Sequence, residues 1–283
     1  MRKLHLTVLI AGVLLSSCNQ KDSTTKSTTS NAVTETVQDL SEQETQVDSS
    51  DKIEGAQSDS IKSLIAIFKT GNSDKIASKI NFPLKRQYPI PSIKNKEEFK
   101  KRFNQVFDKT LLNKIANSTI DQWSEVGWRG TMLDNGIVWM ANSDGMISSI
   151  TYQSDIEKEL MQNLIAKDKQ ILHASLLKFE RPTYKIETPK YHIRIDELAD
   201  SKYRYASWKK GEKENAEPSL ILDNGVLVFD GSGGNHVITF TNKEYTYKVY
   251  RNIIGEKNTP DITLEIEKDG KNIAKENGQL IKE

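Results

Sequence analysis

The chain has 283 residues, with 40 Lys and Arg against 39 Asp and Glu, four His and one Cys, for a formal net charge of +1. That length allows one large domain or two modest ones with a real core, while the balanced charge argues against a generic nucleic-acid binder. The single thiol excludes both an internal disulfide framework and a Cys-rich zinc module, and a mean hydropathy of −0.59 excludes a polytopic membrane protein.

Arg2, Lys3 and His5 precede an apolar run over residues 6–15, too short to span a bilayer but suited to the core of a secretory signal. The run ends in Leu15-Ser16-Ser17-Cys18, where an ordinary signal carries a small-residue cleavage site. This string resembles the lipobox of bacterial lipoproteins. The resemblance implies that residues 1–17 are a removed signal peptide, that Cys18 carries diacyl and N-acyl (palmitate) chains, and that the membrane is a partner through this anchor. Two or more such chains give stable attachment. Gln20-Lys21-Asp22 resembles the export signals that follow the lipidated Cys in surface lipoproteins of Bacteroidota, although Ser23 departs from that pattern. The same residues read equally well as the start of a linker. The implied location is the outer membrane, lipid-anchored, on its periplasmic face or at the cell surface.

Residues 19–60 contain neither aromatic residues nor proline and carry three Lys against nine acids. Such a stretch buries too little apolar surface to offset ordering entropy, so residues 18–60 read as a lipidated Cys and a disordered acidic tether. The rest of the mature chain, residues 61–283, is then mildly basic at +5.

Ile61, Leu64, Ile65 and Phe68 recur at helical spacing, and Gly71-Asn72-Ser73 ends that helix and caps the next. Phe82-Pro83-Leu84 and the Tyr88-Pro89-Ile90-Pro91 stretch are extended. Asn95 with Glu98 caps a further helix whose one face carries Phe99, Phe103, Val106 and Phe107. The period then changes from helix to strand: residues 126–133 and 137–140 flank Asp134-Asn135-Gly136, a strong hairpin signal, and residues 146–152 return as a third strand. Helices followed by an antiparallel meander, with Phe82-Pro83-Leu84 and Trp128-Arg129-Gly130, resemble the NTF2-like (cystatin-like) α+β cone over residues 61–153.

A connecting helix occupies residues 154–180, on Ile156, Leu160, Leu164 and Leu172. Residues 181–283 are nearly all short strands with turns between them, which predicts an antiparallel β sandwich or small barrel and an α+β chain overall. Asp223-Asn224-Gly225 repeats the hairpin signal of the first region.

The motifs for catalysis are thin. His173, His192 and His236 all lie outside residues 61–153, so that region lacks the usual base for a nucleophile. Asp121, near Trp123, is its one candidate acid, and its polar neighbours suggest an exposed helix end. The spacings His-x-His and His-Glu-x-x-His are absent, so no metal and no cofactor is assigned. On the concave face of a cone, Trp128, Trp139 and Tyr152 would line an apolar cleft with Arg129 at its mouth for a carboxylate or phosphate; alternatively, both Trp residues are core. In the second region the Gly-rich string 230–235, with His236 and Trp208, is the place for a ligand, or else a plain loop. The chain therefore reads as a non-enzymatic envelope protein that binds a ligand or protein partner. The alternative is an envelope enzyme, or an inhibitor of envelope hydrolases, acting through the β-domain.

Overall fold

The computed structural model describes residues 53–281; the readings made for the signal, Cys18 and most of the tether lie outside the described residues. Helix α1 (Gly55–Lys69) starts at Gly55, ahead of the Ile61 at which hydrophobic spacing places it. Polar contacts carry this extra turn: Ser58 is buried, and the Gln57 amide donates to the Thr131 hydroxyl and to Asn142 Oδ1. Helix α2 (Ser73–Ala77) follows, with the Asn72 side chain accepting from the Lys75 N–H. The expected Phe-rich helix divides into α3 (Lys96–Lys101) and α4 (Phe103–Val106), parted at Arg102, where φ is −104° and ψ 10°. Its aromatic stripe survives the break. Phe99 packs edge-on against Phe82 and Phe103 at 5.7 Å and against Phe107 at 5.8 Å. Helix α5 (Lys109–Ala116) is capped by Asp108.

These helices pack on a four-stranded antiparallel sheet in the order β1 (Trp123–Glu125), β2 (Thr131–Leu133), β3 (Val138–Met140), β4 (Ile147–Ile150). The Asn135-Gly136 hairpin between β2 and β3 forms as expected, with Asp134 and Gly136 at positive φ. The expected strand 126–133 does not form whole: Gly127–Arg129 is a 3-10 turn between β1 and β2. Gly130 explains why the chain bulges there, since it sits at φ 106° with its α-carbon against the Met140 carbonyl; a Cβ would lie 2.3 Å from that oxygen.

Helix α6 (Asp155–Lys169), capped by Ser154, crosses to the second region. There eight antiparallel strands close into a barrel: β5 (Arg181–Glu187), β6 (Tyr191–Glu197), β7 (Tyr203–Lys209), β8 (Leu220–Phe229), β9 (His236–Asn242), β10 (Tyr245–Arg251), β11 (Ile262–Lys268) and β12 (Lys271–Leu280). Each pairs with the next, and β12 returns to β5. This decides between sandwich and barrel in favour of the barrel, and makes the chain α+β. Eight strands leave an interior just wide enough for side chains to fill. Alternate residues do so here, among them Ile186, Ile193, Ile195, Tyr205, Ile238, Phe240, Ile262 and Leu264.

Asp223-Asn224-Gly225 is not a turn, because β8 runs straight through it. Asn224 takes φ 63° beside a shift of register against β7, and Gly225 lies under the Phe240 ring, where a Cβ would meet Cε1 at 2.3 Å. The seam is the thinnest ladder. β12 meets β5 in two residue pairs, Gln279 with Glu187 and Leu280 with Ile186, extended by Ile281 N–H donating to the Lys185 carbonyl.

Candidate ligand cleft between the strap and the barrel

Backbone bonds in both directions between Leu84 and Ile93 pinch off residues 85–92 as a strap. Two prolines and the pinch hold it away from helix and sheet, and its Ile90 is buried among Met161 and Ile165 of α6, Leu176, Phe179 and Trp208. Between strap and barrel lies a cleft of about 190 Å³, lined by Tyr88 to Ser92 of the strap, Thr183 to Lys185 of β5, and Leu280 and Ile281, with Arg86 at its base. An apolar cavity of about 150 Å³ already takes a benzene-sized molecule.

Two cations border the cleft, and both are committed elsewhere. Arg86 is buried against Glu157 of α6: Nε donates to Oε1 at 2.7 Å and Nη2 to Oε2, while Nη2 also reaches the Tyr152 carbonyl at 2.7 Å and Nη1 the Ile150 carbonyl. Lys185 Nζ lies 2.8 Å from Asp168 Oδ1 and 3.4 Å from Glu214 Oε2. Burial opposes the Lys185 charge, but these carboxylates outweigh it and raise its pKa. One polar atom bordering the cleft is different: Thr183 Oγ1 is fully buried and has no hydrogen-bond partner. Such a group costs roughly 1–3 kcal/mol while it goes unsatisfied.

Behind Lys185, on the outward face of the barrel under α6, lies a layer of charge that sequence reading missed. Arg194, wholly buried, reaches Asp196 (2.8 Å), Glu214 (2.9 Å) and Asp168 (2.6 Å). Arg204 bonds Asp196 at 2.6 Å and the Leu176 and Lys178 carbonyls. His192 stands between Glu187 at 2.8 Å and Glu214 at 2.9 Å. Burial would lower the His192 pKa, but the two carboxylates raise it; for Glu214 burial acts upward, and His192, Arg194 and Lys185 hold it down to about 2. The alternation of His192, Arg194 and Asp196 with Ile193 and Ile195 reads in sequence as a solvent face. The clue to its burial is the number of opposite charges in one short strand.

The sequence-predicted site residues are scattered. Trp128 is 70 % exposed on its 3-10 turn. Arg129 lies 5.7 Å over the ring of half-buried Trp139, so these two come together. Tyr152 donates to Asp108 Oδ2 at 2.7 Å, and burial with that carboxylate pushes its pKa up to about 12. Trp208 is fully buried beside His192 and donates to the Ala216 carbonyl. His236 accommodates the Gly234 carbonyl at Nδ1 and the Tyr184 hydroxyl at Nε2, each at 2.8 Å, so both ring nitrogens are engaged inside the barrel. None of these residues lines the strap cleft.

Comparison of the chain with protein-family models, with curated proteins and with solved structures finds no match. The chemistry of the cleft must therefore be read from its own side chains. Asp121 is exposed on a 3-10 turn, and the Thr119 side chain lowers its pKa, the opposite of what a general acid or a base working near neutrality requires. Among the described residues no group of three or more His, Cys, Asp or Glu side chains is placed to hold a metal ion, and no helix is long and apolar enough to cross a membrane.

Proposed function

We propose that the protein is a non-enzymatic ligand-binding lipoprotein of the bacterial outer membrane, anchored through Cys18, with the strap cleft as its ligand site. The anchor rests on the Leu15-Ser16-Ser17-Cys18 string and on Cys18 being the sole thiol of the chain. The NTF2-like resemblance of residues 61–153 is part of the reading, supported by helices preceding a four-stranded antiparallel sheet. The observation that carries the binding half is the unpartnered Thr183 hydroxyl in a cleft whose neighbouring charges are already neutralised. A charged ligand would have to draw Arg86 or Lys185 from buried carboxylates. A small uncharged ligand, mostly apolar and bearing one hydroxyl or carbonyl, disturbs neither.

Two measurements test this. Fractionation of cells expressing Cys18→Ala should find the protein released from the membrane fraction; retention there would remove the anchor. Phenol and cyclohexanol serve as cleft probes in ligand-observed NMR. Both should bind the wild-type protein, and Thr183→Val, which keeps the shape and deletes the hydroxyl, should weaken binding by roughly tenfold. Absence of binding, or equal binding by the variant, would overturn the assignment of the cleft.

A further inference from the structure

At one end of the barrel the turn over residues 230–235 meets the loop over residues 252–261; Leu280 and Tyr184 of the strap cleft reach this end through Asp261 and His236. Asn235 fixes that loop: its Oδ1 accepts from the N–H groups of Ile253 (2.7 Å) and Ile254 (2.8 Å), and its Nδ2 donates to the Ile254 carbonyl at 2.8 Å. Two glycines of the neighbouring turn form a platform. A Cβ at Gly233 would lie 2.7 Å from Ile254 Cδ1, and one at Gly234 would lie 3.3 Å from Ile253 Cδ1. Three hydrogen bonds and two glycines thus hold in place a pair of isoleucines that remain 49 % and 50 % exposed, and Phe229 beside them is 67 % exposed. Apolar side chains held out by such a scaffold mark an interaction surface.

The outward residues change with distance from this tip. Val228 of β8, itself 56 % exposed, pairs with Val237 of β9, and Val237 pairs with Tyr250 of β10. The next outward row is Val226, Thr239 and Lys248, and Lys248 is ion-paired to Glu267 at 2.6 Å. The order Phe and Ile, then Val and Tyr, then a mixed row of exposed Val226, Thr239 and the Lys248–Glu267 pair follows the polarity gradient of a lipid–water interface, where tyrosine settles with its ring in the apolar layer and its hydroxyl in the wet one. The two loops carry Asp230, Glu256 and Asp261 against Lys257 alone, and so give no basic ring for anionic headgroups.

We infer that this end of the barrel inserts into the interfacial layer of a lipid bilayer, through apolar contact and independently of headgroup charge. The inference rests on the lipoprotein reading for one point, how the body comes to the bilayer. An anchored body is held at high local concentration over the membrane. Weak insertion then suffices.

The chain has one Cys, so Cys18→Ala permits a single thiol label elsewhere. An environment-sensitive fluorophore is placed at Ile254→Cys, or at Ile273→Cys as a control on β12, where Ile273 is equally exposed. With vesicles of palmitoyl-oleoyl phosphatidylcholine, the label at 254 should shift to the blue and be quenched by brominated lipid, unaffected by added salt. The label at 273 should stay aqueous. Adding Phe229→Ser should lower the inserted fraction by roughly tenfold. A label at 254 that stays aqueous, or one no more buried than that at 273, overturns the inference. So does a blue shift without vesicles, which would make the tip a contact between copies of the chain. Cell fractionation of Cys18→Ala reports separately on the anchor, because the label at 254 reads insertion whichever way the chain reaches the vesicle.

Discussion

Arg86 joins the strap, the end of β4 and α6, so breaking its contact with Glu157 should destabilise the whole assembly. The two side chains are 2 % and 0 % exposed, which leaves neither charge a route to water when its partner is removed. Loss of one member of such a pair costs roughly 3–5 kcal/mol, against a surface pair worth at most about 1 kcal/mol. Glu157→Met should therefore cost about 4 kcal/mol, since Arg86 keeps only the Ile150 and Tyr152 carbonyls. Arg86→Met strands both the carboxylate and those two carbonyls, and should cost about 5 kcal/mol. The double variant removes both charges and leaves only the carbonyls unpaired, a cost of about 2 kcal/mol. The pair then shows a coupling of about 7 kcal/mol, at the high end of what close pairs give. For a body of this size, the single variants should lose about 10 °C in Tm. Urea unfolding of the four proteins at neutral pH closes the cycle. A coupling below about 1 kcal/mol would mean that the pair behaves as a surface contact, and the reasoning from burial would fail.

The ionic layer predicts a pH dependence. The His192 pKa is raised in the folded state, so its stabilisation is fully present below the unfolded value of about 6.5 and is lost as pH rises through the folded one. Its neighbours Glu187 and Glu214 face it directly, with Arg194 and Lys185 on the far side of Glu214. The urea midpoint should fall as pH rises above about 6.5, and His192→Gln should flatten that fall; an unchanged slope in the variant would place the titration elsewhere. In the barrel, Gly225→Ala should cost roughly 1–3 kcal/mol by overpacking against Phe240, and adding Phe240→Leu should restore part of it. If the two changes are simply additive in thermal melts, the close approach of Gly225 to that ring is not the cause.

How far the fold could be read in advance depended on the range of the interaction. Asn135-Gly136 signals a hairpin and makes one, because both flanking runs are short and pair with each other. The same letters at Asn224-Gly225 signal a hairpin and make none. There the strand continues because its pairing partners are β7 and β9, and Gly225 is required by the Phe240 ring rather than by a turn. The eight-strand closure was open in sequence because nothing near residues 185–187 tells that residues 279–281 will complete them. The cleft was harder still. Tyr88, Pro89 and Pro91 are legible as a break in regular structure, but not as a wall facing Thr183. Trp128 misled for the opposite reason: an aromatic beside strand signals reads as buried or pocket-lining, and the positive φ of Gly127 and Gly130 turns it out to solvent.

The closing seam also sets an order of events in time. β5 emerges first among the barrel strands and its second neighbour, β12, last, so one edge of β5 must wait while six strands assemble on the other. A waiting edge is an invitation to pair with another chain. β5 carries Pro182, which offers no backbone N–H, and Lys185, whose charge penalises a foreign strand. The same lysine that later meets Asp168 under α6 thus guards the unfinished barrel, and concentrated refolding should become more prone to aggregation when Pro182 and Lys185 are replaced by valine.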